Sequence, residues 1–181
     1  GGYGYEGEIA KTIDGGESWH FKFALPILVK SVEFVNEDTG WACGLGYTSN
    51  QTGMIWKTTD GGNSWVQQHQ MLVEDYTDMK FINSNTGFAF GHHTTALYGI
   101  VKKTTNGGLS WQNSGLGGQS VIFEASLVDV NTIFVACMSG RIYLSTDSGA
   151  SWNSINTGTT SDVTAIQFED INTGWFGNND G

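Results

Sequence analysis

Residues 57–65 read KTTDGGNSW, and close variants recur as KTIDGGESW at 11–19, KTTNGGLSW at 103–111 and LSTDSGASW at 144–152. The starts at 11, 57, 103 and 144 lie 46, 46 and 41 residues apart. A second block keeps the same period. FVNEDTGWACG begins at Phe34, FINSNTGFAFG at Phe81, LVDVNTIFVAC at Leu127 and FEDINTGWFGN at Phe168, spaced 47, 46 and 41. Two motifs locked to one period of 40 to 50 residues mark a structural repeat.

Each unit reads as four short strands. In the second unit the pattern predicts strands over 31–35, 41–44, 54–58 and 64–68, with turns at Asn36–Gly40 and Asp60–Gly62. Apolar runs stop after four or five residues at Gly, Asn or Asp, so helical periodicity is absent. Four-stranded units of this length match the blades of a β-propeller, an all-β fold. The predicted division is a half blade over 1–30, blades over 31–76, 77–118 and 119–160, and a half blade over 161–181.

The nine-residue motif has a local physical reading. A tight turn between antiparallel strands needs positive φ, which Gly adopts without steric cost. The first turn Gly becomes Ser148 in one copy while Gly16, Gly62, Gly108 and Gly149 hold the second place, so positive φ is expected at the second. Asp14, Asp60 and Asp147 can accept hydrogen bonds from the turn, and Asn106 retains the acceptor without the charge. Trp19, Trp65, Trp111 and Trp152 are expected to fold beneath their turns.

This pattern, Ser/Thr-x-Asp-x-Gly-x-x-Trp, resembles the Asp-box or bacterial neuraminidase repeat over nearly the whole chain. Together with the Asn-Thr-Gly-Trp/Phe block it looks like the repeats of photosystem II stability and assembly factors and of many secreted bacterial proteins. The resemblance implies that the Asp-box turns lie on the face away from the usual ligand site, which makes the four acids and amides turn locks. It also implies rings of six to eight blades. The chain is therefore expected to be part of a larger ring, completed by further blades or a second copy. The alternative is closure by pairing 163–177 with 8–21.

Composition excludes several partners. The formal net charge is −10, with seven Lys and one Arg, Arg141, so no basic cluster exists for nucleic acid or an anionic membrane. No apolar run approaches the roughly 20 residues of a membrane span. Cys43 and Cys137 are the only cysteines, fall two repeats apart, and are expected to be buried thiols. Few Lys and many Asn, Thr and Gly point to an extracellular or cell-surface address.

Candidate functional residues fall on the segments opposite the Asp-box turns, which vary between copies. Tyr47, Tyr76, His92, His93 and Tyr98 are the candidate binding residues, with Phe21 and Phe23 beside them. Glu74, Asp75, Asp78 and Asp162 are candidate carboxylates for glycoside hydrolysis, which needs a facing pair. A sialidase would need an arginine cluster, which one Arg does not supply. Adjacent His92 and His93 point to opposite faces of a strand, so no metal or other cofactor is expected. The expected function is a non-catalytic binding or scaffold propeller that presents aromatics and acids to a protein or glycan. A glycosidase of the Asp-box type is the alternative.

Overall fold

The computed structural model describes residues 6–46, 51–116 and 120–180. Five antiparallel sheets follow one another. The first pairs β1 (Gly7–Lys11) with β2 (His20–Leu25). The second runs β3 (Leu28–Phe34), β4 (Gly40–Gly46), β5 (Thr52–Thr58) and β6 (Val66–Leu72). The third runs β7 (Glu74–Phe81), β8 (Gly87–His93), β9 (Gly99–Thr104) and β10 (Gln112–Asn113). The fourth runs β11 (Ile122–Leu127), β12 (Ile133–Cys137), β13 (Arg141–Ser145) and β14 (Asn153–Asn156), and the fifth pairs β15 (Val163–Phe168) with β16 (Gly174–Asn178). No helix occurs among the described residues.

Within each four-stranded sheet the strands lie in sequence order, and β3, β7, β11 and β15 pack on one another. The first strand of each sheet therefore faces a common axis and the fourth faces outward, the arrangement of propeller blades. The pairing of 163–177 with 8–21 is not formed, because β1–β2 and β15–β16 are separate sheets.

Burial explains the apolar runs. Every residue of β4 and β12 is buried, since a second strand is covered on both faces by neighbouring sheets. Alternation divides the side chains between the two neighbours. On β12, Ile133, Val135 and Cys137 join the core shared with the third sheet, while Phe134 and Ala136 join the core shared with β15. Both cysteines are free and buried.

The Asp-box turns share one hydrogen-bond pattern. Asp60 Oδ1 accepts from the Thr58 hydroxyl at 2.8 Å and the Ser64 amide at 2.9 Å, and Oδ2 accepts from the Ser64 hydroxyl at 2.6 Å. Asp14 and Asp147 make the same contacts, and Asn106 Oδ1 accepts from Thr104 and the Ser110 amide. The second block closes its own turn, with Asn36, Asn83, Asp129 and Asp170 each accepting two backbone amides. The Gly61 amide then donates to Asp38 O and the Gly107 amide to Asn85 O, which ties the two turns together. The two motifs share a period because they are bonded to each other.

Both turn positions have positive φ, not the second alone. The first stands at 60–73°, Ser148 being at 60°, and the second at 82–98°. The first values lie in the left-handed well that an L-residue can occupy, whereas the second lie beyond it, where a Cβ is strained. Serine is thus tolerated only at the first.

Hydrogen bonds from the Ser64 hydroxyl, the Ser64 amide and Thr58 hold the Asp60 carboxyl down from its ordinary value of 3.8 to about 2. A depressed carboxylate stabilises the fold fully above its unfolded value, and that contribution is lost as pH falls from about 4 towards 2. Asn106 shows that an amide keeps the turn. Asp60→Asn is expected to melt close to the parent at neutral pH and to lose less stability below pH ~4, whereas Asp60→Ala melts well below both. Thermal melts across the acid range check this ordering.

The four motif tryptophans do not share one environment. Trp65 is 6% exposed and packs with Ile9 and Leu25 of the preceding sheet and with Ile27 of the link between β2 and β3. Trp111 and Trp152 are half-buried against the cores formed with the sheets before theirs. Trp19 is 61% exposed, a departure from the expected burial beneath its turn. Trp65 and Trp152 fold against their own turns, Nε1 donating to Gly62 O and Gly149 O at 3.2 Å, but what buries an indole is the sheet before its own, and no described sheet precedes the one that carries Trp19.

Candidate functional site

The sequence reading placed Glu74, Asp75 and Asp78 on a loop; the structure places all three, buried, in β7. The link from β6 is the single residue Val73, at φ 56° with its amide bonded to Gln51 O. Tyr76, expected as an exposed binding aromatic, is wholly buried against Cys43, Ile55 and Met79 because β7 starts earlier than expected. Tyr47 lies outside the described residues.

Asp78 is a joint between sheets. Its Oδ2 accepts the Ala125 amide of the next inner strand at 3.0 Å, while Oδ1 accepts the Ser31 hydroxyl at 3.1 Å and its neighbour's amide at 2.8 Å. The same place in the repeat does the same work elsewhere. Ser31 Oγ accepts the Met79 amide at 3.3 Å, and Glu124 Oε2 accepts the Ile166 amide at 2.7 Å. In each of these sheets the inner strand shifts register just before this residue. The bulge displaces one residue and turns the next side chain towards the neighbouring strand. Asp78 is thereby committed to structure, which removes it as a free acid or base.

Glu74 and Asp75, adjacent on the strand, serve two separate charge clusters. Glu74 Oε1 pairs with Lys102 Nζ at 3.0 Å and Oε2 accepts the Tyr76 hydroxyl at 2.5 Å; Lys102 also donates to Asn113 Oδ1 at 2.8 Å. Burial, and after it the charge of the Glu74 carboxylate and the hydrogen bond donated to it, push the Tyr76 phenol far above its ordinary range. Asp75 Oδ2 pairs with Lys30 Nζ at 2.6 Å and has His92 Nε2 at 4.0 Å.

These groups lie at the rim opposite the Asp-box turns. Glu74, Tyr98 and Asn113 line a cavity of about 110 Å³ there. The rings of His93 and Tyr98 lie 4.9 Å apart, tilted by 33°, across the hairpin that follows β8, and His93 Nδ1 accepts the Ala96 amide at 3.1 Å. His92 turns the other way, half-buried, with burial lowering its basicity against the opposing pull of Asp75. Asp162 sits apart on the loop before β15, where its Oδ1 accepts the Ser139 amide at 2.9 Å. Glu74, Asp75, His92, His93 and Tyr98 are thus brought to one rim, and Tyr76 and Asp78 are spent inside the fold. No group of three His, Cys, Asp or Glu side chains is placed to hold a metal among the described residues.

Among the described residues, the buried side-chain polar atoms without a hydrogen-bond partner are Asp75 Oδ1, His92 Nδ1 and Thr94 Oγ1 near this rim, and His69 Nε2, Trp56 Nε1 and Trp111 Nε1 elsewhere. Each unsatisfied buried group costs about 1–3 kcal/mol. Lys102 is the residue that sequence reasoning missed. It stands where the other copies carry Ala10, Trp56 and Tyr143, so a lysine in an otherwise apolar column was the available signal.

No family model matches the chain, and no curated protein does. Solved structures do. YCF48 bound to D1 peptide superposes with TM-score 0.66 at 18% identity, over 89% of this chain and 52% of that one. The fold is a β-propeller. YCF48 from Cyanidioschyzon merolae gives TM-score 0.57 at 15% identity over 77% of this chain and 47% of that one. The GH74 enzyme from Niastella koreensis gives 0.57 at 20% over 76% and 24%. The chain spans about half the length of the YCF48 structures it matches. The resemblance to photosystem II assembly-factor repeats therefore holds at the level of the fold.

Proposed function

We propose that this propeller is a non-catalytic binding module of a secreted or cell-surface protein, receiving a polypeptide segment at the rim formed by Asp75, His92, His93 and Tyr98. The observation that carries this reading is the His93–Tyr98 ring pair, 4.9 Å apart, beside the Asp75–Lys30 and Glu74–Lys102 ion pairs at one rim. A peptide offers apolar and cationic side chains to that ring pair, and a rigid sheet scaffold lowers the ordering cost of binding. That YCF48 is solved with a D1 peptide supports a polypeptide occupant on this fold. The surplus of 18 acids over 8 bases favours a cationic segment. A glycan is the second class of ligand to which a Tyr–His platform is suited.

Hydrolysis has less support, because Asp78 is fully engaged and Glu74 and Asp75 are each neutralised by a lysine. The test is selection from a random peptide library, with Tyr98→Ala and Asp75→Asn as comparison proteins. Peptides enriched on the parent are expected to lose at least tenfold in affinity on either variant, about 1.4 kcal/mol. Failure to enrich any peptide, together with polysaccharide cleavage abolished by Glu74→Gln, would overturn the reading in favour of a glycosidase.

A further inference from the structure

We propose that Asn106 is a self-modification site, a latent fourth acid of the Asp-box column. The closed turn keeps it as the amide, and water converts it, through a cyclic imide with Gly107, when that turn opens. Asn106–Gly107 is the only Asn-Gly dipeptide in the sequence. Gly has no Cβ to obstruct its backbone nitrogen, so an asparagine side chain reaches that nitrogen most easily when Gly follows. The other three units carry Asp14, Asp60 and Asp147 in the same place, so conversion yields the residue around which this turn is built.

The reaction balances with water alone. The Gly107 amide gives up its proton to base, and its nitrogen bonds to Asn106 Cγ, closing the imide ring. The Cγ–Nδ2 bond breaks, and Nδ2 leaves as ammonia with a proton taken from water. Water then opens the ring. Cleavage between the Gly107 nitrogen and Cγ leaves aspartate on an unchanged backbone. Cleavage between that nitrogen and the Asn106 main-chain carbonyl leaves isoaspartate, whose chain runs through the side-chain methylene.

The closed turn pins both reacting groups. The Gly107 amide donates to Asn85 O at 2.8 Å, while Gly107 O accepts Lys57 Nζ at 2.8 Å and Trp41 Nε1 at 3.3 Å. Asn106 Oδ1 accepts the Thr104 hydroxyl and the Ser110 amide, each at 3.0 Å, and Nδ2 donates to Ser110 Oγ at 2.9 Å. Attack requires Gly107 to leave Asn85 and the carboxamide to leave Ser110 together, which is a local opening of the turn. The same geometry sorts the products. An aspartate fits back as Asp60 does, with Oδ1 on the Thr58 hydroxyl and Ser64 amide and Oδ2 on the Ser64 hydroxyl. The Ser110 hydroxyl only has to change from acceptor to donor. An isoaspartate lengthens the backbone between Thr104 and Gly108, whose amide is held on Thr104 Oγ1 at 2.9 Å, and does not refit.

Peptide mapping by mass spectrometry, after incubation of the protein at mildly alkaline pH with and without urea, tests the proposal. Both products are expected at position 106 in urea. In the folded protein conversion is expected to run at least about tenfold slower, because it follows the fraction of molecules whose turn is open. Ser110→Ala releases Nδ2 and is expected to speed conversion of the folded protein while leaving the rate in urea unchanged. Asn106→Asp is expected to melt no lower than the parent at neutral pH. Having gained a carboxylate like that of Asp60, it should lose more stability than the parent below pH ~4. Equal rates in folded and unfolded chains overturn the proposal, as does an Asn106 that survives urea. So does a folded Ser110→Ala protein that converts no faster than the parent, or Asn106→Asp melting well below it.

Discussion

Trp65→Ala is expected to lower stability by about 3–5 kcal/mol, and Trp19→Ala by less than about 0.5 kcal/mol, although both residues end the same motif. The difference follows from what lies behind each indole. Trp65 is packed into Ile9, Leu25, Ile27 and Met54, holds Phe34 edge-on, and donates Nε1 to Gly62 O at 3.2 Å. Removing it opens a cavity between two sheets that strands cannot close, because each is fixed by its own ladder. Trp19 keeps most of its surface in water, so truncation removes little. At about 2–4 °C per kcal/mol for a chain of this size, the two melting points should separate by roughly 5–20 °C. Equal losses at both positions would mean that the turn, and not the preceding sheet, is what covers the tryptophan.

That contrast marks how far the sequence could be read. The repeat, the strand order and the turn chemistry were legible because Gly62, Asp60 and Asn36 have local requirements written within a few residues of themselves. What covers Trp65 is Ile9 and Leu25, which belong to another unit, and a motif carries no record of its neighbour. The rim was hidden for a different reason. Glu74, Asp75 and Asp78 follow Val73 with no Gly, Pro or Asn between them, so the junction of β6 and β7 left no turn signal, and a strand passed for an acidic loop. A non-Gly residue at φ 56° makes that junction possible and leaves no mark in the composition. Glu124 escaped notice because the joints it shares with Ser31 and Asp78 use three different side chains for one purpose. Their common property, an oxygen acceptor just after a bulge, becomes visible only once the inner strands are placed side by side.

The Glu74–Lys102 pair yields the second large effect. Both side chains are about nine-tenths buried and 3.0 Å apart, with the Tyr76 hydroxyl and Asn113 amide oxygen completing their partners. Lys102→Met removes the cation and leaves a carboxylate enclosed beside a phenol, a loss of about 3–5 kcal/mol. Glu74→Gln strands the ammonium in the same way. In the double variant Lys102→Met/Glu74→Gln no uncompensated charge remains, and the methionine fits a column that is Ala, Trp or Tyr in the other units. The double variant is therefore expected to be more stable than Lys102→Met alone, with an interaction energy of about 1–3 kcal/mol in a double-mutant cycle measured by urea unfolding. Strict additivity of the two losses would show that the ions act separately. The pair then could not be what holds the start of β7, and with it Asp75 and the rim, against the second sheet.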